Sequence, residues 1–599
     1  MENKKQAIIL SGVAIVALLA LIIGATYAYF RASGNSGSNT DINVTTYTLD
    51  LLSFEMGSDI KINADQTSFA SGKGNATGST FAKAILTANN KTNTATKNYY
   101  MYLNISNNTF TYTQNENTPE LLLTITDVSG NAITSITGLT YKTVIDGKGT
   151  SVSGFDITTK SGLLTLFDNR EITASPTKTE EWNVTVTFVN YNVNQTGNAG
   201  KSFNAKLMIQ QEEYELTLAD ICAGKTLSDC VISQYTGTQG DNALYYHNST
   251  LTNGAGDNSY RYAGGDYVLT EAGKATGATM MIGYNNSVTT ALIDFYCNGT
   301  KQYVGYASSC STSHYYLIKG DTTQYQTYNE ALNASVEKGY LTKDNVKNFV
   351  CFGSDATTCP TENLYRIIGV FNNHVKLIKY DYAKSSLLGT DGDFSQEYTS
   401  NYFSGEQGES PSSNSLYYWN NAGTNTWSAS KLNTVNLNTN FTTNIGTAWA
   451  NKIATTTWKV GGGTYANLRD AVPKTAYQYE VGSSASTTTY DAKIGLMYVS
   501  DYYYSASPSA WTLVGINSSD ATKDYRFSKG ENWLYGGGWD WTISRRSDLF
   551  DAAFGVSDIG RVGNFGVSGF SGARPSFSLL SSTTYVSGSG SMSDPVRVN

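Results

Sequence analysis

Apolar and polar positions alternate in short runs through the first third of the chain. The runs at 46–51, 100–105, 182–188 and 203–209 alternate throughout, and 121–126 does so in part. Turn-formers separate them: Ser129-Gly130-Asn131, Asp146-Gly147-Lys148-Gly149 and Asn198-Ala199-Gly200. Period-2 runs at roughly regular spacing, with polar turns between, predict an all-β sandwich over 31–214 without a helix of note.

The pattern changes after 214. Two apolar runs, 363–371 and 375–379, flank Asn372-Asn373 and predict a β-hairpin. Upstream, 257–262 reads as the opening of the same domain. Residues 264–347 then interrupt it as an insertion with a helix-like stretch at 328–338. Further on, Ser428 or Ser430 can cap a helix carrying Leu432 and Val435. Phe441, Ile445, Trp449 and Ile453 recur at steps of four, which predicts a second helix whose stripe is core. Residues 458–463 and 494–500 read as strands, and Asp501-Tyr502-Tyr503-Tyr504 as an exposed loop. Between 533 and 577 both periods vanish among Gly and Ser, which predicts long loops between short strands.

At the other end, Lys4 and Lys5 precede an uncharged, Ile/Leu/Val/Ala-rich run from 6 to 30. A positive segment before a long apolar one is a translocation signal, and small residues suit cleavage between Ala28 and Tyr29. Left uncleaved, the same run is long enough to anchor the chain in a membrane. Either way everything after Phe30 is expected outside the cell. The domain boundaries that follow are 1–30 for the leader or anchor, 31–214 for the sandwich, 215–385 for the opening of a second domain with its insertion, and 386–599 for that domain's core.

Export changes how the cysteines read. All six fall between 222 and 359, as Cys222/Cys230, Cys297/Cys310 and Cys351/Cys359. In an exported chain local pairs imply three disulfides, one choice among the fifteen pairings that six cysteines allow. The formal charge of −8 offers no basic patch, and the stretch 533–577 holds four Arg against four Asp, so nucleic acid is not an expected partner. His247, His314 and His374 are scattered and read as surface or turn residues, with no His-Glu-x-x-His for zinc. Asp391-Gly392-Asp393 supplies too few oxygens for calcium. No metal and no cofactor is expected.

Two resemblances add to this reading. The leader ending Ala25-Thr26-Tyr27-Ala28-Tyr29-Phe30 resembles the signal peptides of the camelysin/TasA group of exported matrix proteins, which implies a jelly-roll-like sandwich behind it. In that group the strand after the cleavage site pairs with a neighbouring subunit, so 29–51 offers a route to self-association. The order Trp541-Thr542-Ile543-Ser544-Arg545-Arg546-Ser547-Asp548, then Gly-rich loops, then Ala573-Arg574-Pro575-Ser576-Phe577, resembles bacterial C-type-lectin-like domains of the formylglycine-generating-enzyme branch. That resemblance implies an α+β C-terminal domain whose end motifs are scaffold. It assigns ligand contact to the loop residues Tyr535, Trp539, Phe550, Phe554, Asp558, Arg561, Asn564, Phe565 and Phe570. The oxidase cysteines of that branch are missing, since no cysteine follows Cys359.

Rings on glycine-spaced loops suit flat recognition, because they offer large contact area at little rotamer entropy. The expected function is therefore a non-enzymatic surface or secreted binding protein, adhesin-like, for a glycan or a surface protein. A matrix or fibre protein is the alternative, and a hydrolase ranks behind both.

Overall fold

The computed structural model describes residues 50–64, 74–89, 93–214, 216–283, 290–302, 310, 313–343, 345–398, 414–517, 519–520 and 523–599. The leader, its expected cleavage point and nearly all of the run 29–51 lie outside the described residues. The protein is mainly β, with several sheets, and divides into two compact units, Met1–Tyr214 and Glu215–Asn599. No helix among the described residues is long and apolar enough to cross a membrane.

The first unit holds strands β1 (Leu51–Met56), β2 (Ile60–Asn63), β3 (Ala76–Thr87), β4 (Ala95–Asn108), β5 (Leu121–Asp127), β6 (Tyr141–Ile145), β7 (Ser151–Asp156), β8 (Gly162–Ala174), β9 (Thr177–Phe188) and β10 (Ser202–Gln210). They form a six-stranded sheet, β1-β3-β9-β5-β7-β6, and a four-stranded one, β2-β10-β4-β8. Alternation turns one face of each strand inward: Ala82, Ala84 and Leu86 of β3 and Val184 and Val186 of β9 share one core with Leu103 and Ile105 of β4. Where polar groups enter that core they satisfy each other. The Trp182 indole N–H donates to the Tyr99 hydroxyl (2.9 Å), which donates to Glu180 (2.6 Å), and Arg170 closes the chain on Glu180 at 2.9 Å.

The second unit is built on one large sheet. Its central hairpin, Leu364–Phe371 with His374–Lys379, turns on Asn372 and Asn373, whose φ angles of 49° and 62° are the left-handed pair of a two-residue turn. Tyr260–Tyr262 pairs with one side of this hairpin, through Leu364–Phe371, and Ser576–Ser578 with the other, through His374–Lys379. Phe349–Cys351 also joins Leu364–Phe371 and runs parallel to Val596–Val598, with Val350 opposite Val596. The opening of the unit is tied to the same end, since the Leu227 amide donates to the Thr583 carbonyl at 2.7 Å. Trp419, Trp427, Trp458 and Trp541 are fully buried around this sheet. At about 25 cal/mol per Å² of buried apolar surface, each contributes several kcal/mol.

Three disulfides close in this unit: Cys222–Cys230, Cys297–Cys310 and Cys351–Cys359. The second lies in a segment with its own small sheet, where Ala291–Cys297 pairs with Met280–Ile282, Thr300–Gln302 and His314–Ile318. The helix Tyr328–Glu337 packs Ala331 and Leu332 into a separate apolar cluster with Leu292, Ile293 and Phe295. Its N-terminus is fixed by Thr327 and Glu330, each bonding the other's backbone amide.

Several sequence expectations need correction. The step-of-four stripe is core, but the helix breaks at Gly446, whose φ of 84° ends one turn before Thr447–Ala450 begins another. Residues 494–500 are not one strand: pairing stops at Gly495, and Val499–Tyr504 is a helix because the Asp501 carboxylate accepts the Tyr498 amide at 2.8 Å. Tyr502, Tyr503 and Tyr504 are therefore buried on that helix rather than displayed on a loop. His247 is buried too, its Nδ1 accepting the Ala255 amide. Burial, and then the nearby Arg261 charge, push its pKa well below the usual imidazole value.

Candidate functional site

The stretch 540–566 is an antiparallel meander rather than a set of long loops: Asp540–Arg545, Ala552–Val556 and Val562–Gly566 pair in order. This meander decides which of the expected ligand residues can meet a ligand. Phe554 lies on the middle strand with 0% exposure, and Tyr535 is 3% exposed with its hydroxyl on the Asp558 carbonyl. Both belong to the core and are corrected as contact residues. Asp558 and Arg561 are half-buried at the turn between the second and third strands, where the Ser557 amide bonds the Arg561 carbonyl at 2.9 Å. They hold the turn.

Of the remaining five, Asn564 and Phe565 are on the third strand, Trp539 and Phe550 precede the first and second, and Phe570 pairs with Tyr418 in a separate sheet. Trp539 and Phe565 are half-buried and meet edge to face, with ring centroids 4.6 Å apart. Phe570 is 49% exposed and edges onto Tyr418; Phe550 is 72% exposed. Ala552 is opposite Gly566, so Phe550 stands level with the turn that leads to Phe570. Asn564 accepts the hydroxyl of Tyr465. Tyr465 itself is clamped, with the guanidinium carbons of Arg469 and Arg546 each 3.7 Å from its ring centroid. Asp470 and Asp548 hold those two guanidiniums through paired hydrogen bonds of 2.7–2.9 Å. Tyr465 was not expected from sequence; its neighbours Arg469 and Asp470 were the local clue.

Sequence reasoning also missed a cleft of about 280 Å³ that no residue of 540–566 lines. Its floor is charged. Lys376 bonds Asp501 at 2.6 Å, and Arg261 bonds Asp257 at 2.6 Å. Each cation lies against rings: Lys376 Nζ is 4.7 Å from the Tyr498 ring and 5.3 Å from Trp458, and the Arg261 guanidinium is 4.7 Å from Phe371 and 5.3 Å from Tyr477. Burial works to raise the Asp257 carboxyl, but Arg261 and the Ser259 hydrogen bonds outweigh it and hold the group at about 2. Burial, reinforced by the Asp257 charge, pushes the Tyr477 phenol up.

These groups come from five separate segments, which is why spacing does not reveal them. One local clue existed. Val375-Lys376-Leu377-Ile378-Lys379 reads as a strand core, and its strand is buried on both faces, where the Lys376 charge is met by Asp501. Among the described residues, no group of three or more His, Cys, Asp and Glu side chains is placed to hold a metal ion. No protein-family model matches the chain, and no curated protein matches it in sequence.

Proposed function

We propose that the chain is an exported surface or secreted binding protein, adhesin-like and non-enzymatic, whose C-terminal unit engages a glycan or a surface protein. The observation that carries this is the set of rings on and around the meander: Phe550 and Phe570 are exposed, and Trp539 and Phe565 are half-buried and meet edge to face. Large rings held in water beside a rigid sheet suit recognition, because the fold itself gains little from their exposure. The three disulfides are consistent with an extracellular location. In this reading the first unit is a jelly-roll-like sandwich behind a signal or anchor, and the second takes the lectin-like fold. A glycan array and a pull-down against surface proteins test it, each run with the full chain and with a Trp539→Ala/Phe565→Ala/Phe570→Ala variant. Binding lost in the variant supports the face; binding unchanged removes it.

A second reading, assembly into fibres, is favoured by one feature. β1 is an edge strand of its sheet, and its two ends, Leu51 and Met56, are 63% and 45% exposed. Electron microscopy of the exported protein decides, since filaments support this reading and dispersed particles at high concentration reject it.

A further inference from the structure

We propose that the cleft floored by Arg261 and Lys376 is a second binding site, for a carboxylated sugar such as a single hexuronate residue of an acidic glycan. It lies apart from the ring-bearing meander and does not depend on that face being a binding surface.

Size sets the first limit. About 280 Å³ sits at the small end of ligand pockets, suited to one pyranose ring rather than a length of polymer. Charge sets the second. Arg261, Lys376 and Lys459 face Asp257 and Asp501, so the lining carries one more positive charge than negative. Arg261 uses Nε on Ser259 and Nη2 on Asp257, and its Nη1 has no partner among the described residues. Lys376 directs a single hydrogen bond, to Asp501. Lys459 has no carboxylate partner among the described residues, and its nearest acceptor is the Gly482 carbonyl at 3.5 Å. The three cations therefore keep N–H groups without partners among the described residues, and the complement is an anion rich in oxygen.

The rim sets the third limit. Half-buried Phe371 and Tyr477, against which Arg261 lies, line the cleft with ring carbon that suits the C–H face of a sugar. Thr456, Thr457, Ser578 and Asn372 supply hydroxyls and a carboxamide around them, matched to a polyol. A bare phosphate or acetate would leave the rings unused, and an apolar guest would leave the donors unpaired. Asp257 remains ionised at neutral pH because Arg261 and Ser259 hold it low, so the charge count stands under physiological conditions.

The test uses the full chain, with D-glucuronate as probe, D-glucose as the neutral arm and acetate as the bare carboxylate arm. Titration calorimetry and saturation-transfer NMR report binding. Glucuronate is expected to bind saturably, about tenfold more tightly than either other arm, and more weakly as ionic strength rises. Lys459→Ala and Tyr477→Ala are each expected to weaken it by about fivefold with the melting temperature preserved; Tyr477→Leu serves if the alanine variant fails to fold. No saturable glucuronate binding, or binding that the Lys459 variant leaves untouched, overturns the proposal. Equal affinity for glucose removes the role of the charge, and equal affinity for acetate removes the role of the sugar, so either result also overturns it.

Discussion

Lys376 and Asp501 meet at 2.6 Å with 9% and 3% of their side chains exposed, so the central hairpin is joined to the helix Val499–Tyr504 by a largely buried ion pair at the floor of the cleft. Asp501 also accepts the Tyr498 amide that starts that helix. Removing one partner of a buried pair leaves the other charge stranded, at a cost of about 3–5 kcal/mol. Lys376→Met is therefore expected to destabilise the second unit by that amount. Urea unfolding followed by tryptophan fluorescence checks it, and a loss under about 1 kcal/mol would show that water reaches the pair.

The Asp257–Arg261 pair makes a pH prediction. The Asp257 carboxyl sits at about 2 in the fold, against about 3.9 in an unfolded chain. A depressed carboxyl adds stability above the unfolded value and loses it as pH falls through the folded one. About 2–3 kcal/mol is thus present above roughly pH 5 and disappears on the way down to roughly pH 2. Asp257→Asn should flatten that part of the acid-unfolding curve, and an unchanged acid limb would contradict the pairing.

Asp540 works in the opposite direction. Burial pushes it up to about 6, even though Arg574 bonds it at 2.5 Å and pulls it down. A raised carboxyl contributes stability that is full below the unfolded value of about 3.9 and lost as pH rises through about 6. Asp540→Asn, which carries no charge to bury, is expected to remove the decline between pH 4 and 6 in thermal melts.

All three disulfides lie in the second unit, and the first contains no cysteine. Each closes a short loop and contributes about 2–3 kcal/mol by restricting the unfolded chain. A reductant should lower the denaturation midpoint of the second unit and leave that of the first in place. A parallel fall in both would mean that the two units unfold as one.

Phe550 and Phe554 are four residues apart and separate surface from core. Phe554→Ala is expected to cost about 3–5 kcal/mol, and Phe550→Ala under about 0.5 kcal/mol. Chemical denaturation of the two variants side by side checks both values.

The strands of the first unit were legible because one face of each strand is wet, so Trp182, Val184 and Val186 alternate cleanly with polar neighbours. The hairpin at Asn372-Asn373 was legible because its turn chemistry is local. The tail was not. Phe554 and Tyr535 look like display residues when only the surrounding glycines are visible, yet sheet pairing buries the first and the Asp558 carbonyl anchors the second. The helix Val499–Tyr504 was hidden for a related reason: its β-favouring composition is overruled by two carboxylates, Asp501 on the Tyr498 amide and the distant Glu480 on the Val499 and Ser500 amides. The cleft was invisible to periodicity, since the local pair Asp257–Arg261 meets a second pair, Lys376–Asp501, whose partners are 125 residues apart.

The joining of the second unit's two ends has a mechanical side. With Leu227 bonded to Thr583 and Val350 running parallel to Val596, traction applied at the two ends of this unit loads those few pairings first. The hairpin strand Leu364–Phe371 is the next partner of Phe349–Cys351, so load that passes the Val596 pairing reaches the hairpin second. A unit closed this way would yield by unzipping at its seam before its central sheet parts.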